Sequence, residues 1–323
     1  MNAFNRRTLL AALCAALAPF AAQSQDAWPD KPVKLIVPFS AGGPTDTVAR
    51  LLATQLQALW KQPVVVEYRA GAGTVLGTSV VAKAPADGYT LLTVVTPVAI
   101  NPALFTNLPF DFMRDIAPVI YLARLAYVVV VNPSVPAATL PELIAYAKAN
   151  PGKINYGSAG AGTPQNITCE LFKMMSGVNL VHVPYKGGAP AVADLVAGHV
   201  QVIFAPVSEA IPHIKAGKLR ALAVTPAKRL DVFPDVPSVG EFLPGYEATG
   251  FAGIGAPKAT PADIIDLLNK ELNAGLADPK IKARIVELGG TVLGGSPAEF
   301  GTILTDAIDK WAKVIKFAGI KVE

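Results

Sequence analysis

Apolar positions along this chain come in two kinds of segment that alternate. Short continuous runs of strand length lie at Val33–Pro38, Val64–Glu67, Tyr89–Val95, Tyr127–Val131, Ile154–Gly157, Leu180–Pro184, Val200–Phe204, Arg220–Val224 and Phe251–Ala256. Between them lie stripes of helical period. In Thr47–Trp60 the apolar positions are Val48, Leu51, Leu52, Leu56 and Leu59, which share one face. Further helices are predicted up to Lys83 and over Leu140–Asn150, Gln165–Met175, Pro190–Ala197, Pro261–Ala277, Pro279–Leu288 and Pro297–Ala318. Thr139, three residues before Glu142, reads as the cap of the Leu140 helix. Strands alternating with helices predict an α/β protein with parallel sheets.

Two stretches start alike, at Val33 and at Ile154: a strand, a loop of small residues, then a helix with proline just inside it. That repetition predicts two lobes. The chain is expected to cross between them at Leu122–Tyr127 and to return between Thr225 and Phe251. Residues 25–126 and 245–323 then form one lobe, and residues 127–244 form the other with the return. The loops are Pro38-Phe39-Ser40-Ala41-Gly42-Gly43-Pro44-Thr45-Asp46 and Tyr156-Gly157-Ser158-Ala159-Gly160-Ala161-Gly162-Thr163-Pro164-Gln165. A proline at the first helical position loses nothing, because its missing N–H would have no partner there. The remaining first-turn N–H groups and the positive end of the helix dipole attract anions. Two such ends facing one another would make a cleft for an anion. Two lobes with a ligand loop on each are expected to close by a hinge.

The first 24 residues change where the protein is expected to work. Arg6-Arg7, an apolar run from Leu9 to Phe20 and the small-x-small triplet Ala22-Gln23-Ser24 read as a cleaved export signal. The mature start is then Gln25, with Ala27 or Trp28 as alternatives. The apolar run is short of the roughly 20 residues needed to span a bilayer. The arginine pair leaves two export routes open, general secretion and the twin-arginine route. Cys14 follows Leu13 where a lipoprotein signal has a small residue, so lipidation is not expected. Without Arg6 and Arg7 the formal charge falls from +4 to +2, a balance that gives no footprint for nucleic acid. Charged residues make up 16% and hydrophobic residues 52%, which excludes a disordered chain. Cys169 is the one cysteine left after processing, so no internal disulfide is expected; it reads as a small core residue.

Catalytic chemistry is hard to find. His182, His199 and His213 do not stand beside other ligands at metal spacing. Ser158 lacks the glycine two residues before it that a nucleophile elbow requires. A nucleotide-binding secreted enzyme of doubly wound type is the alternative. One motif for it, Gly71-Ala72-Gly73-Thr74-Val75-Leu76-Gly77, is one residue too long for the dinucleotide fingerprint, and the next strand ends in Thr96-Pro97 without an acid. Ala41-Gly42-Gly43, with Glu67 after it, has the acid but lacks the glycine spacing. No cofactor and no metal are expected.

The loop from Pro38 to Asp46, Gly160-Ala161-Gly162-Thr163-Pro164, His182-Val183-Pro184-Tyr185-Lys186-Gly187 and the run from Pro212 to Thr225 together resemble the Bug family. These are periplasmic solute-binding proteins of tripartite tricarboxylate transporters. The resemblance covers essentially the whole mature chain. It implies a two-lobed type II periplasmic-binding-protein fold with a hinge and an interlobe cleft. In such proteins a carboxylate is held by loop N–H groups and bridging waters from both lobes. The implied partners are a small organic carboxylate and the membrane subunits of such a transporter, with a monomer in the periplasm. The candidate ligand residues are Phe39, Ser40, Ala41, Gly42, Gly43, Thr45 and Asp46; Thr96 and Pro97; Ser158, Ala159, Gly160, Thr163, Pro164 and Gln165; and Tyr185, Ala205 and Pro206.

Two positions depart from the family. Asn166 stands where relatives often carry histidine, and it is expected to cap or line the site. Ala205 stands where many relatives have an acid, which removes a partner for a ligand's ammonium or hydroxyl. With Val98 and Phe251 as further apolar candidates, a mono- or dicarboxylate with an aliphatic or aromatic body is expected. Tyr185 is expected at the cleft edge as a lid, beside a glycine turn that leaves Lys186 solvated. Asp46 would repel a carboxylate, so it is expected to orient its loop or a water.

Overall fold

The computed structural model describes residues 28–321; the export signal, with Arg6, Arg7 and Cys14, lies outside them. The elements in chain order are β1 (Val33–Val37), α1 (Pro44–Trp60), β2 (Val64–Tyr68), α2 (Val75–Ala82), β3 (Thr90–Val95), α3 (Pro97–Leu104), α4 (Phe112–Asp115) and β4 (Ile116–Val131). There follow α5 (Leu140–Ala149), β5 (Ile154–Ser158), α6 (Pro164–Ser176), β6 (Leu180–Pro184), α7 (Gly188–Ala197), β7 (Val202–Pro206), α8 (Val207–Lys215) and β8 (Arg220–Val224). The last elements are β9 (Thr249–Pro257), α9 (Ala262–Leu276), α10 (Pro279–Glu287), β10 (Gly290–Val292) and α11 (Pro297–Ala318). The described chain from Lys31 onward forms one compact unit.

Two sheets share one strand. The order is β2-β1-β3-β9-β4-β7-β5-β6, with β10 and β8 also paired to β4. Ile116–Ala126 of β4 pair with β9, while Tyr127–Val131 pair with β7. The change of partner falls between Ala126 and Tyr127, inside the predicted crossing. That crossing is therefore unbroken strand, not loop. Val128–Val131 are fully buried, as expected for a strand covered on both faces, whose sequence reads as one apolar run. The return crossing is tied to it. Thr225 donates its N–H to the Tyr127 carbonyl over 3.0 Å, and its Oγ1 accepts the Tyr127 N–H over 3.1 Å.

The predicted sheets were wholly parallel; the observed ones are mixed. β1 pairs in parallel with β2 and β3, and β5 with β6 and β7. The long strands β4 and β9 run antiparallel to their neighbours: β9 to β3, and β4 to β9, β10, β7 and β8. A strand that leaves one lobe for the other is not returned by a local helix, so the right-handed crossover that enforces parallel pairing is missing.

Helix starts follow their caps. Thr139 accepts the Glu142 N–H, and Glu142 reaches back to the Ala138 N–H. The last helix, α11, opens on a capping box between Ser296 and Glu299 with Pro297 just inside. It ends on Gly319 at φ +62°, a left-handed position that suits glycine. One continuous core contains Ile36 and Leu92 of the first sheet, Phe204 of the second, Phe172 of α6 and Trp311 of α11. Tyr246 donates its hydroxyl to the Thr168 carbonyl of α6. Cys169 is buried and free, in the core position expected for it.

Candidate ligand site

The two loops leave the carboxyl ends of β1 and β5, where ligands sit in open α/β sheets. The first loop is mostly exposed at Phe39, Ser40, Ala41 and Gly42, and turns inward at the buried Thr45 and Asp46. Pro44 is the first residue of α1 and Gly43 its cap; a glycine cap has no side chain to satisfy the first-turn N–H groups. Gly42 adopts φ +98°, a conformation that glycine accepts readily. Asp46 is held three ways. Its Oδ2 accepts the Gly42 N–H over 2.8 Å, and its Oδ1 accepts Arg50 Nε over 2.8 Å and the Tyr68 hydroxyl over 2.6 Å. Burial alone would push this carboxyl up. The Tyr68, Gly42 and Arg50 bonds outweigh it and hold the group below its ordinary value. Its oxygens are taken by its own loop, its own helix and the end of β2.

The second loop is closed on itself. Ala159 N–H donates to Gln165 Oε1 over 2.6 Å, Gly160 N–H to Ser158 Oγ over 3.1 Å, and Gly162 N–H to Asn166 Oδ1 over 2.9 Å. Thr163 caps α6, accepting the Asn166 N–H, and donates its hydroxyl to the Gly160 carbonyl over 2.7 Å. Behind the loop, Asn166 Nδ2 donates to the Tyr156 hydroxyl over 2.6 Å, and that hydroxyl donates to Glu170, which also takes Lys173. His182 stacks on Tyr156, and its Nε2 lies 2.7 Å from Ser158 Oγ. Burial pushes the His182 imidazole below its ordinary value. Ser158 is wholly buried and serves the loop backbone. Three loop N–H groups expected to face a ligand are thus engaged by side chains of the loop and of the first turn of α6. Asn166 does cap, as expected, but it caps Gly162.

The remaining candidates lie at the junction of the sheets. Thr96 is buried, and its Oγ1 accepts the Phe251 N–H over 2.9 Å; Pro97 follows it as the first residue of α3. A Cβ at Gly250 would lie 3.1 Å from the Tyr127 hydroxyl and 3.3 Å from Thr96 Oγ1. Pro206 is the register partner of Tyr127, and Ala205 beside it is fully buried. The second loop comes against the end of α3, since a Cβ at Gly162 would lie 2.5 Å from Leu104 Cδ1. Tyr185 is tied to its own lobe: its N–H donates to the Ser158 carbonyl and its hydroxyl to Asp194 Oδ2 over 2.7 Å. Phe251 packs edge-on to Tyr121 and Phe300 and belongs to the core with Val98.

Two polar groups here escaped the sequence reading. Glu209 sits in the first turn of α8, a helix missed because Pro212 interrupts a short segment. Its carboxylate takes a long, 3.5 Å contact from Gln165 Nε2, and burial pushes it above the ordinary carboxylate value. Tyr127 opens an apolar run of strand length, and nothing in that run marks its hydroxyl. Its hydroxyl makes no hydrogen bond among the described residues, and burial, then the charge of Glu209, push the phenol well up.

Among the described residues, no group of His, Cys, Asp and Glu could hold a metal ion, and no helix is long and apolar enough to cross a membrane. A family model described as the tripartite tricarboxylate transporter family receptor matches residues 48–320. Rpa4515 of R. palustris, solved with adipate, is 36% identical with a TM-score of 0.82, over 91% of this chain and 100% of that one. The periplasmic binding protein BugD is 35% identical with a TM-score of 0.78, over 91% and 100%. MatC (Rpa3494) of Rhodopseudomonas palustris, with bound malate, is 30% identical with a TM-score of 0.77, over 89% and 100%.

Proposed function

The chain belongs to the tripartite tricarboxylate transporter family of receptors, and from that premise we propose that it captures a small organic carboxylate for transport. It does no chemistry on its ligand. The observation that carries this reading is the start of α1. An exposed loop leads to a helix whose glycine cap offers no side-chain acceptor, and the nearby Asp46 spends its oxygens on Gly42, Arg50 and Tyr68. The first-turn N–H groups and the dipole are left for an anion. The adipate and malate bound by the two R. palustris relatives support a carboxylate, and BugD supports a periplasmic location.

The ligand residues are those of the two loops together with Thr96, Pro97, Tyr185, Ala205 and Pro206. The lobes are residues 25–126 with 245–323, and residues 127–244, and they close on the ligand as a monomer that delivers it to membrane subunits. The ligand is a mono- or dicarboxylate with an apolar body. A thermal-shift panel of aliphatic and aromatic acids, tricarboxylates, amino acids and sugars tests this. A ligand at a hundred times its Kd adds about 2.7 kcal/mol of stability. Stabilisation by amino acids or sugars alone would overturn the reading. Native mass spectrometry of protein purified without refolding would identify a co-purified acid directly. Small-angle scattering should show a smaller radius of gyration at saturation; an unchanged profile would refute closure.

A further inference from the structure

The Ala205 position carries no acid, but the fold supplies one from elsewhere. Glu209, four residues later on α8, lies among the N-termini of three helices. Its Oε2 is 3.5 Å from Gln165 Nε2 at the start of α6, and a Cβ at Gly188, the first residue of α7, would lie 2.4 Å from it. Gln165 is itself fixed, because its Oε1 takes the Ala159 N–H. No cation pairs with Glu209 among the described residues, so burying it has no charge to offset the cost. A carboxyl kept half-buried on one long hydrogen bond needs a further partner.

Tyr127 supplies the complementary group. Its Cα is in register with Pro206, three residues before Glu209, and its hydroxyl points toward Gly250 and Thr96 at the junction of the sheets. The phenol is a donor without an acceptor among the described residues, and Glu209 is an acceptor with spare lone pairs. A ligand hydroxyl donates once and accepts once, which this pair satisfies. An ammonium needs three acceptors and finds one carboxylate here, since the Gln165 carbonyl is already used. An ionised carboxylate would meet Glu209 as a like charge.

We propose that Glu209 and Tyr127 form a specificity site that reads a hydroxyl on the ligand, so that the protein selects hydroxylated carboxylates over their deoxy counterparts. The proposal rests on the reading of the protein as a carboxylate receptor, with the anion at the start of α1 and the hydroxyl at this junction. It does not depend on which carboxylate is transported.

The test is calorimetric titration of the full mature chain with pairs that differ by one hydroxyl. Malate with succinate, 3-hydroxybutyrate with butyrate and 6-hydroxyhexanoate with hexanoate place the hydroxyl at different distances from the carboxylate. The wild type should favour the hydroxylated member of at least one pair by about tenfold. Glu209→Ala should bring that ratio to within about threefold, by weakening the hydroxylated member and sparing the deoxy one. Glu209→Gln, which keeps a side-chain acceptor in the same shape, should retain part of the preference, and Tyr127→Phe should lower it. The ratio separates recognition from a folding defect, which would weaken both members alike; melting temperatures identify such a defect. A wild type that binds both members of every pair equally, or a preference that survives Glu209→Ala, overturns this proposal and leaves the receptor reading intact. Preference for amino acids over hydroxy acids replaces the hydroxyl with an ammonium and also overturns it. Binding of no carboxylate at all removes the receptor reading, and this inference with it.

Discussion

The loops after β1 and β5 are close in sequence and opposite in electrostatic state. Both are runs of small residues with proline at the first helical position. In the first, the cap is Gly43 and the one acid, Asp46, turns back onto its own loop and helix. In the second, Thr163 caps the helix, and Ser158, Gln165 and Asn166 consume the N–H groups of Gly160, Ala159 and Gly162. A glycine-rich loop before a helix is therefore not by itself an anion site. What decides is whether the next turn carries amides and hydroxyls that can fold back on the loop. By that measure the start of α1 keeps its donors free, while the second loop spends its own and leaves the acceptor Glu209 beside Gln165.

The largest expected effect comes from giving the first loop what the second already has. Gly43 lies at φ −83° and ψ 175°, with nothing within 4 Å of a Cβ, so a side chain fits there. Gly43→Asp should cap α1 with little change in stability while repelling the ligand. Two unit charges about 4 Å apart near a protein surface oppose each other by about 4 kcal/mol, so carboxylate affinity should fall about a hundredfold or more. Gly43→Asn, a neutral cap, should lose less. Isothermal titration of both variants checks this, and equal affinities for wild type and Gly43→Asp would refute the donor role of α1. Gly160 is a poorer probe, because at φ +126° any side chain strains the backbone whatever the ligand does.

Next in size is Asp46→Asn, which should cost about 1.5–3 kcal/mol in urea unfolding, since two charge-assisted bonds weaken and the Arg50 ion pair is lost. The sign with pH follows from the lowered carboxyl. Its contribution is complete above the ordinary value of 3.8 and is lost as pH falls through the depressed folded value, so wild type and variant should converge in acid. A difference that stays constant down to the acid transition would show that packing, not charge, holds the loop. Thr163→Ala should cost about 1 kcal/mol of stability through the lost cap, read in the same urea unfolding. The smallest effect belongs to Lys186→Ala: an exposed lysine contributes long-range attraction that salt screens, so affinity should change by less than about threefold at physiological ionic strength. Abolished binding there would move the anion site to the second lobe.

Most of the fold could be read from the sequence where local signals agree. Thr139, Pro297 and the apolar stripe of Thr47–Trp60 announced their helices within a few residues. The failures have two causes, distant pairing and internal prolines. Ile116–Ala126 mixes Pro118 and Arg124 with apolar residues and looks like loop; it becomes strand because β9, more than a hundred residues away, pairs with it. α3 and α8 carry internal prolines, Pro102 and Pro212, and neither shows a clean stripe. The same distance effect hid half of the candidate site. The loop residues were visible as motifs, but nothing near Tyr127 or Glu209 in sequence shows that they approach each other, because a register between β4 and β7 does that work.

The unbroken run of β4 through the crossing also fixes how the gene can change. Side chains alternate faces along a strand, and pairing with β9 is regular from Ala123 to Ala126, so losing or gaining one residue between Ala123 and Tyr127 would invert every residue after it. The side chains of Val128–Val131 would then turn to the opposite faces of the sheet, and Tyr127 would lose its register with Pro206 and its bonds to Thr225. Loop connections between lobes absorb insertions at small cost. This one should not, so length variation among natural homologues should be scarce in this segment and should collect in the surface loops instead.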